Sequence, residues 1–240
     1  IFVTTGEIAQ TLPSPGGILL IWVLGGLLAL AGALSCAELA ASLPYSGGDY
    51  VYLREAYGSF VGFLSGWSAV LVTFSGSIAL LAVVFTVFVS FFLPILALDR
   101  VLFSAQILSF SLSLSLGHFF SIFVVFALSA IHYIGVSMGR LVQNFLTLLK
   151  IGALLGIIVL AVLLGKGNVE HFSPFFDLDK IGNLSAFGFA FIPVIFTYAG
   201  WNAVIYMAGE VKQPEKNLPR ALLWANLLVI FLYLAVNVVY

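Results

Sequence analysis

The stretch from Ser185 to Gly209 is apolar and long enough to cross a bilayer, yet its middle is wrong for an unbroken helix. It contains Pro193 and then Phe196-Thr197-Tyr198-Ala199-Gly200-Trp201-Asn202. Pro193 removes a backbone donor and crowds the preceding turn. Gly200 costs about 1 kcal/mol against alanine in a helix interior. Hydrocarbon cannot satisfy the freed N–H and C=O groups, so such a break persists only against protein or a water-filled cavity. A discontinuous helix at mid-membrane depth is the best sequence pointer to a transporter's binding site.

The remainder of the chain is suited to surround such a break. Hydrophobic residues make up 62% of it and charged residues 8%, against roughly 25% charged in soluble domains. This composition describes an integral membrane protein with several helices. Net charge is −1 and the basic residues are dispersed, so a nucleic-acid partner is not expected. The single cysteine, Cys36, lies in an apolar stretch and has no internal disulfide partner. No Cys/His cluster has metal-ligand spacing, so no metal or other cofactor is expected. The chain starts at Ile1 and stops at Tyr240 inside an apolar run, which reads as a fragment cut at both ends.

With about 20 apolar residues needed per span, the expected elements are the end of a helix at 1–12, then spans at 16–43, 60–93, 117–136, 141–164, the broken 185–209, and 219–240. Their connections alternate between two sides. Loops 44–58, 137–140 and 210–220 carry Arg54, Arg140, Lys212, Lys216 and Arg220, whereas 95–116 and 165–184 carry Arg100, Lys166 and Lys180. The basic excess places the first set in the cytoplasm. In the outer loop, Ser109, Ser111, Ser113 and Ser115 alternate with Phe or Leu. A packed loop is expected there, since an isolated strand pair is marginally stable.

The stretch Glu38 to Gly58 includes Pro44-Tyr45-Ser46-Gly47-Gly48-Asp49-Tyr50-Val51-Tyr52. Read physically, Gly47-Gly48 makes a turn, Asp49 caps a short interfacial helix, and the tyrosines sit at headgroup level. Glu38 is expected at the interface, with Arg54 as candidate partner.

The pattern E-L-x-x-x-x-P-x-S-G-G-x-Y-x-Y-L-x-x-A-Y-G in this stretch resembles the signature loop of the amino acid–polyamine–organocation transporters. Phe196–Asn202, followed by Gly209-Glu210-Val211-Lys212 and Leu218-Pro219-Arg220, is similar to their L-type amino acid transporter branch. Arg140, Val142, Gln143, Asn144 and Lys150 match the same branch, and Ile1-Phe2-Val3 resembles the outer end of the family's glycine-rich first helix. The resemblance covers essentially the whole chain. It implies an all-α polytopic membrane protein with a fold of two inverted five-helix repeats, truncated at both ends, in which helices one and six are broken. Gly6-Glu7-Ile8-x-Gln10 and Gly209-Glu210-Val211-x-Gln213 each follow a proposed break and precede a Leu-Pro pair, as inverted repeats would give.

Two broken helices suit an amino acid zwitterion, because each half-helix end carries about half an elementary charge. Free N–H groups suit the carboxylate, and freed carbonyls suit the ammonium. The resemblance implies a substrate site built from Phe196, Thr197, Tyr198, Ala199, Gly200, Asn202 and Ile1. Carbonyls around Phe196, Thr197 and Ala199 would receive the ammonium, Phe196 would close over the substrate, and Asn202 would bond the substrate or hold the unwound turn. Ala199 stands where a glycine is common in the L-type branch, which narrows the expected pocket. Lys150 lies inside the fifth span. The loop end at Arg140 is about 15 Å away along a helix, too far for easy snorkelling, and an intramembrane lysine is read as functional by default. By resemblance it fills the place of a sodium ion and serves ion or proton coupling. His132 is read as a neutral histidine packed between helices, with a proton site as the alternative.

The function implied is secondary active transport of amino acids, neutral ones first, by alternating access, as sodium-independent exchange or proton-coupled uptake. A cationic amino acid or polyamine antiporter of the same superfamily and a non-transporting amino acid sensor are the alternatives. No nucleophile–base pair lies within the spans, so the chain does not read as an enzyme. Its partners are the amino acid and the lipid bilayer of the cell membrane. Animal L-type members often attach to a single-span partner through a cysteine in the 95–116 loop. That loop has no cysteine here, so a disulfide-linked partner is not expected.

Overall fold

The computed structural model describes residues 4–12, 14–107, 110–165, 172–176 and 184–239. In chain order these form α1 (Thr4–Thr11), α2 (Pro15–Ser42), α3 (Asp49–Tyr57), α4 (Ser59–Ser68), a π-helical segment (Ala69–Phe74), α5 (Ser75–Ser90), a 3-10 turn (Pro94–Leu96), β1 (Val101–Ile107), β2 (Phe110–Ser115), α6 (Leu116–Ile134), α7 (Val136–Leu164), α8 (Leu184–Tyr198), a 3-10 segment (Trp201–Glu210) and α9 (Pro214–Val239). Among the described residues, six helical stretches are long and apolar enough to cross a membrane. The chain divides into two compact units, residues 1–62 with 149–240, and residues 63–148.

In the first unit α2 is the spine. Its start is fixed by Ser14, whose Oγ accepts from the Gly17 N–H, and by Pro15 in the first turn. Proline is tolerated there because that N–H has no helical partner anyway. Gly25, Gly26, Ala29, Ala33, Ala37 and Ala40 then form a buried stripe of small residues at helical spacing. Small residues let helices approach closely where lipid offers no hydrophobic drive. The approach is close: a Cβ on Gly25 would meet Val194 Cγ1 at 2.5 Å, and one on Gly26 would meet Ile230 Cγ1 at 2.8 Å. One cluster, with Ile8, Leu12, Ile21, Trp22, Ala190, Val194 and Tyr198, joins α1, α2 and α8. A second joins the other end of α2 to Val51, Tyr52, Ile205, Ala208, Leu218 and Leu222. Leu154 of α7 packs with Leu232 and Val236 of α9.

In the second unit, α5 and α6 are locked by a buried pair, with Thr86 Oγ1 2.7 Å from Ser121 Oγ. The 95–116 segment corrects the sequence expectation of a packed loop. It is an antiparallel hairpin in which Ser104 faces Ser113 and Gln106 faces Ser111, with an irregularity between Val101 and Phe103. The period of two in the serines was itself the strand signal. The hairpin does not stand alone, because β2 runs directly into α6. At that junction the Ser115 N–H donates to His118 Nδ1 at 3.1 Å.

Other boundaries shift for local reasons. The 60–93 span is one continuous helix with a π turn at its middle, where the Ser75 hydroxyl bonds the Val70 carbonyl five residues back. α7 begins at Val136 and α9 at Pro214, each five residues ahead of its expected start. Pro219 lies inside α9, in its second turn, where it removes the N–H that would bond the Glu215 carbonyl. The expected 210–220 loop therefore shrinks to residues 211–213. Glu38 does not pair with Arg54, which lies 3.3 Å from Glu55 and stacks over Tyr50 at 5.7 Å. Asp49 makes no cap bond, since Gly48 is the N-cap of α3 and has no side chain to offer. His132 is exposed on α6, with its ring against Gly139 of α7.

Candidate functional site

The broken helix of the first unit has the form its residues demand. α8 ends at Tyr198, Ala199-Gly200 forms the turn, and the chain resumes as a 3-10 segment at Trp201. Gly200 has φ +107° and ψ −9°, a region that L side chains rarely adopt, so a residue without Cβ is required. The Ala199 N–H bonds the Phe196 carbonyl at 3.2 Å, and the Ala203 N–H bonds the Gly200 carbonyl at 3.1 Å. Each bond closes a three-residue step, the tighter pattern used at helix ends. Among the described residues, the Ala199 carbonyl accepts no hydrogen bond.

Each side of the break has its own anchors. Tyr198 is 5% exposed, and its hydroxyl donates to the Trp22 carbonyl at 3.2 Å. Its ring packs with Trp22 and Tyr233 at centroid separations of 5.7 and 5.2 Å. The Tyr233 hydroxyl points to the Thr197 carbonyl at 3.5 Å. The Thr197 hydroxyl donates to the Pro193 carbonyl at 2.7 Å, and its Oγ1 lies 3.3 Å from Oγ1 of Thr4 on α1. The first described turn of α1 thus abuts the last turn of α8. Beyond the break, Trp201 lies over Gly32 of α2, where a Cβ would meet its ring at 2.8 Å. Ile205 and Ala208 are buried against α2, α3 and α9.

The residues expected from sequence fall into three groups. Thr197, Ala199 and Gly200 lie at the break itself, and Phe196, 54% exposed, sits one turn before it. Asn202 is half-buried in the first turn of the 3-10 segment. Tyr198 lies in the same sequence run, yet its side chain turns into the α2–α9 packing and its hydroxyl is committed there. Lys150 is on an exposed face of α7 and makes no hydrogen bond or ion pair among the described residues. Ile1 lies outside the described residues.

Three neighbours of the break escaped the sequence reading. Tyr233 was detectable in principle, since Asn226, Ile230, Tyr233 and Asn237 form a stripe at spacings of four, three and four along α9. Its flanking amides bond their own helix, Asn226 to the Leu222 carbonyl and Asn237 to the Tyr233 carbonyl. Trp22 and Thr4 carried no such signal, because both lie in segments that read as plain apolar or terminal. Within α3, the Tyr52 hydroxyl is buried and has no partner among the described residues. Burial pushes its phenol up to about 12, with Cys36 and Asp49 nearby adding to the rise.

With this geometry in view, the comparisons with known proteins are consistent. Residues 1–240 match the family model described as amino acid permease. The serine/threonine exchanger SteT of Bacillus subtilis is 33% identical over 219 residues, 91% of this chain and 45% of that protein. The b(0,+)-type amino acid transporter 1 of Homo sapiens is 31% identical over 247 residues, all of this chain and 47% of that protein. The Asc-type amino acid transporter 1 of Mus musculus is 32% identical over 251 residues, all of this chain and 43% of that protein. The chain spans a little under half the length of these curated relatives. A family match over its whole length and six apolar membrane-length helices identify it as a multi-pass membrane protein, and the chain belongs to the amino acid permease family.

Proposed function

We propose that the protein moves amino acids, neutral ones first, across the cell membrane by alternating access. The observation that carries this reading is the break at Ala199–Gly200, set against the first described turn of α1. The C-terminal end of α8 brings carbonyl dipoles to that point, and the α1 side would supply N–H groups of the opposite sign. Partial charges of both signs then meet within one small volume, which matches an α-ammonium and an α-carboxylate on one carbon. The Ala199 carbonyl receives the ammonium, helped by the spare lone pairs on the Phe196 and Thr197 carbonyls. Phe196 covers the substrate, Gly200 holds the turn open, and Asn202 bonds the substrate or the unwound backbone. Ile1 completes the site from the α1 side.

Obligatory exchange is the favoured mode, because the relatives include a protein named as an exchanger. Lys150 serves as a fixed cation in place of a bound sodium ion. Residues 44–58, 137–140 and 210–220 face the cytoplasm by their basic residues. The protein acts as a carrier and not as a catalyst. It needs no disulfide tether through the 95–116 loop, since its one cysteine is Cys36 in α2.

The test is uptake of labelled amino acids by proteoliposomes containing the full-length protein, with and without internal amino acid. Uptake of neutral amino acids that requires internal substrate supports exchange. Arginine or putrescine transport in their place would move the protein to the cationic and polyamine carriers. Binding with no uptake would make it a sensor. Asn202→Leu should abolish binding at unchanged expression, and undiminished affinity would remove Asn202 from the site.

A further inference from the structure

The glycine-rich loop ahead of α3 is bonded to one residue of the broken helix, Tyr206. The Gly47 N–H donates to the Tyr206 carbonyl at 3.0 Å, and the Tyr206 hydroxyl donates to Asp49 Oδ2 at 3.0 Å. Gly48 lies under the Tyr206 ring so closely that a Cβ would meet it at 2.9 Å. Three residues on, Gly209 approaches Ser46 in the same way, with 2.9 Å between a built Cβ and Ser46 Oγ. The backbone of the 3-10 segment leaves helical geometry at Met207, φ −111° and ψ 22°, directly after the bonded tyrosine. Gly47 and Gly48 have φ of +132° and +53°, so the loop conformation that presents both donor and acceptor depends on residues without a Cβ.

None of these contacts involves the other half of the broken helix. α8 is held by Trp22, Tyr233 and Ile8, whereas the 3-10 segment beyond Trp201, which packs against both clusters, is held by the loop, α3, α9 and the far end of α2. Ala199 and Gly200 alone connect the halves along the chain. We propose that Asp49 and Tyr206 are positioning residues that fasten the second half of the broken helix to the loop ahead of α3, leaving Ala199–Gly200 as a hinge between two separately anchored segments.

The bond is of the strong kind, a phenol O–H to a carboxylate oxygen, about twice as strong as a neutral pair. It pins the segment from its side, while the Gly47–Tyr206 bond pins its backbone. Losing the side-chain bond therefore loosens the segment without unfolding it. The fastening itself stands apart from the transport reading. Only its consequence, that the hinge moves when substrate passes, rests on that reading.

The test uses the full-length protein with Cys36→Ala and a reporter, Ala208→Cys, on a buried position of the 3-10 segment. The readout is the rate of reaction with a charged thiol reagent, measured well below the melting temperature. Tyr206→Phe keeps the ring over Gly48 and removes only the hydroxyl. It should raise the labelling rate about ten- to hundredfold, the effect of one lost hydrogen bond to a charged group on an opening equilibrium. Asp49→Ala should do the same, and the double variant should exceed neither single one, as for residues acting through one bond. Asp49→Asn, which keeps an acceptor oxygen but loses the charge, should fall between the parent and Asp49→Ala. Unchanged labelling in Tyr206→Phe and Asp49→Ala, or effects that multiply in the double variant, would overturn the proposal. Lowered melting temperatures with unchanged labelling would overturn it too, by assigning the pair to folding alone. Fastening-dependent labelling in a protein that transports nothing would support the fastening and reject the carrier reading.

Discussion

Replacing Gly200 with alanine isolates the backbone requirement of the break from every packing effect. A Cβ built on Gly200 finds nothing within 4 Å, so the substitution meets no steric obstacle. The cost lies entirely in φ, which stands at +107°. Holding a non-glycine residue in such a region costs about 1–3 kcal/mol. Gly188 supplies the internal control. It too has open space around a built Cβ, but it lies inside α8 with no positive φ. There alanine should stabilise by about 0.5–1 kcal/mol, through the helix propensity and unfolded-state entropy that glycine lacks. The two substitutions add the same methyl group and should move stability in opposite directions. The assay is the melting temperature of the purified full-length protein in detergent, paired with amino acid affinity. Gly200→Ala should lower the first by a few degrees. It should weaken the second by about five- to hundredfold, because relieving the strain straightens the helix and removes the free carbonyls. Gly188→Ala should leave affinity unchanged and raise the melting temperature slightly. Indistinguishable behaviour of the two variants would refute the reasoning, since the break would then not depend on a glycine-only conformation.

Other substitutions test the surrounding structure. Tyr52→Phe removes a buried hydroxyl that has no partner among the described residues, and should stabilise by about 1–3 kcal/mol, read as a raised melting temperature. Because the folded phenol titrates at about 12, above its ordinary 10, its contribution is complete below pH 10. It is lost as pH climbs towards 12, so the wild type should lose stability faster than Tyr52→Phe across that window. Thr86→Val removes the bond between α5 and α6 while Ser121 keeps its bond to the Gly117 carbonyl, so it should cost about 0.5–1.5 kcal/mol, and adding Ser121→Ala should cost less than it does in the parent, as a double-mutant cycle would show. Lys150→Ala should impair uptake and change its pH profile. Unaltered uptake at every pH tested would remove Lys150 from coupling.

The break was legible from three residue types whose backbone behaviour is local. Pro193, Gly200 and Asn202 weaken a helix wherever they occur, so the sequence located the interruption to within a residue or two. The signature around Gly47-Gly48 was legible for the same reason, as the positive φ values at both glycines bear out. What was not legible depends on where a side chain points across the fold. Tyr198 and Phe196 are two residues apart and were grouped together, yet one is buried with its hydroxyl committed and the other is exposed. Asp49 reads as a cap from its position after Gly48, but its carboxylate serves Tyr206, 157 residues away. The hairpin was misjudged by weighing strand stability in isolation, when covalent continuity with α6 supports it. Helices begin at Val136 and Pro214, ahead of what their sequence suggests, because the polar first turns of both resemble loop.

The central claim is that the ends of two interrupted helices hold the two charges of an amino acid. It is tested most directly by the affinity of the full-length protein for a neutral amino acid, compared with its α-hydroxy acid and its carboxamide. These analogues keep the side chain and remove one charge each. The account predicts that each loses at least about tenfold in affinity, the effect of one forfeited charge-assisted contact. Equal binding of all three would contradict it, because recognition would then rest on the side chain and the break would have no part in holding the backbone of the substrate.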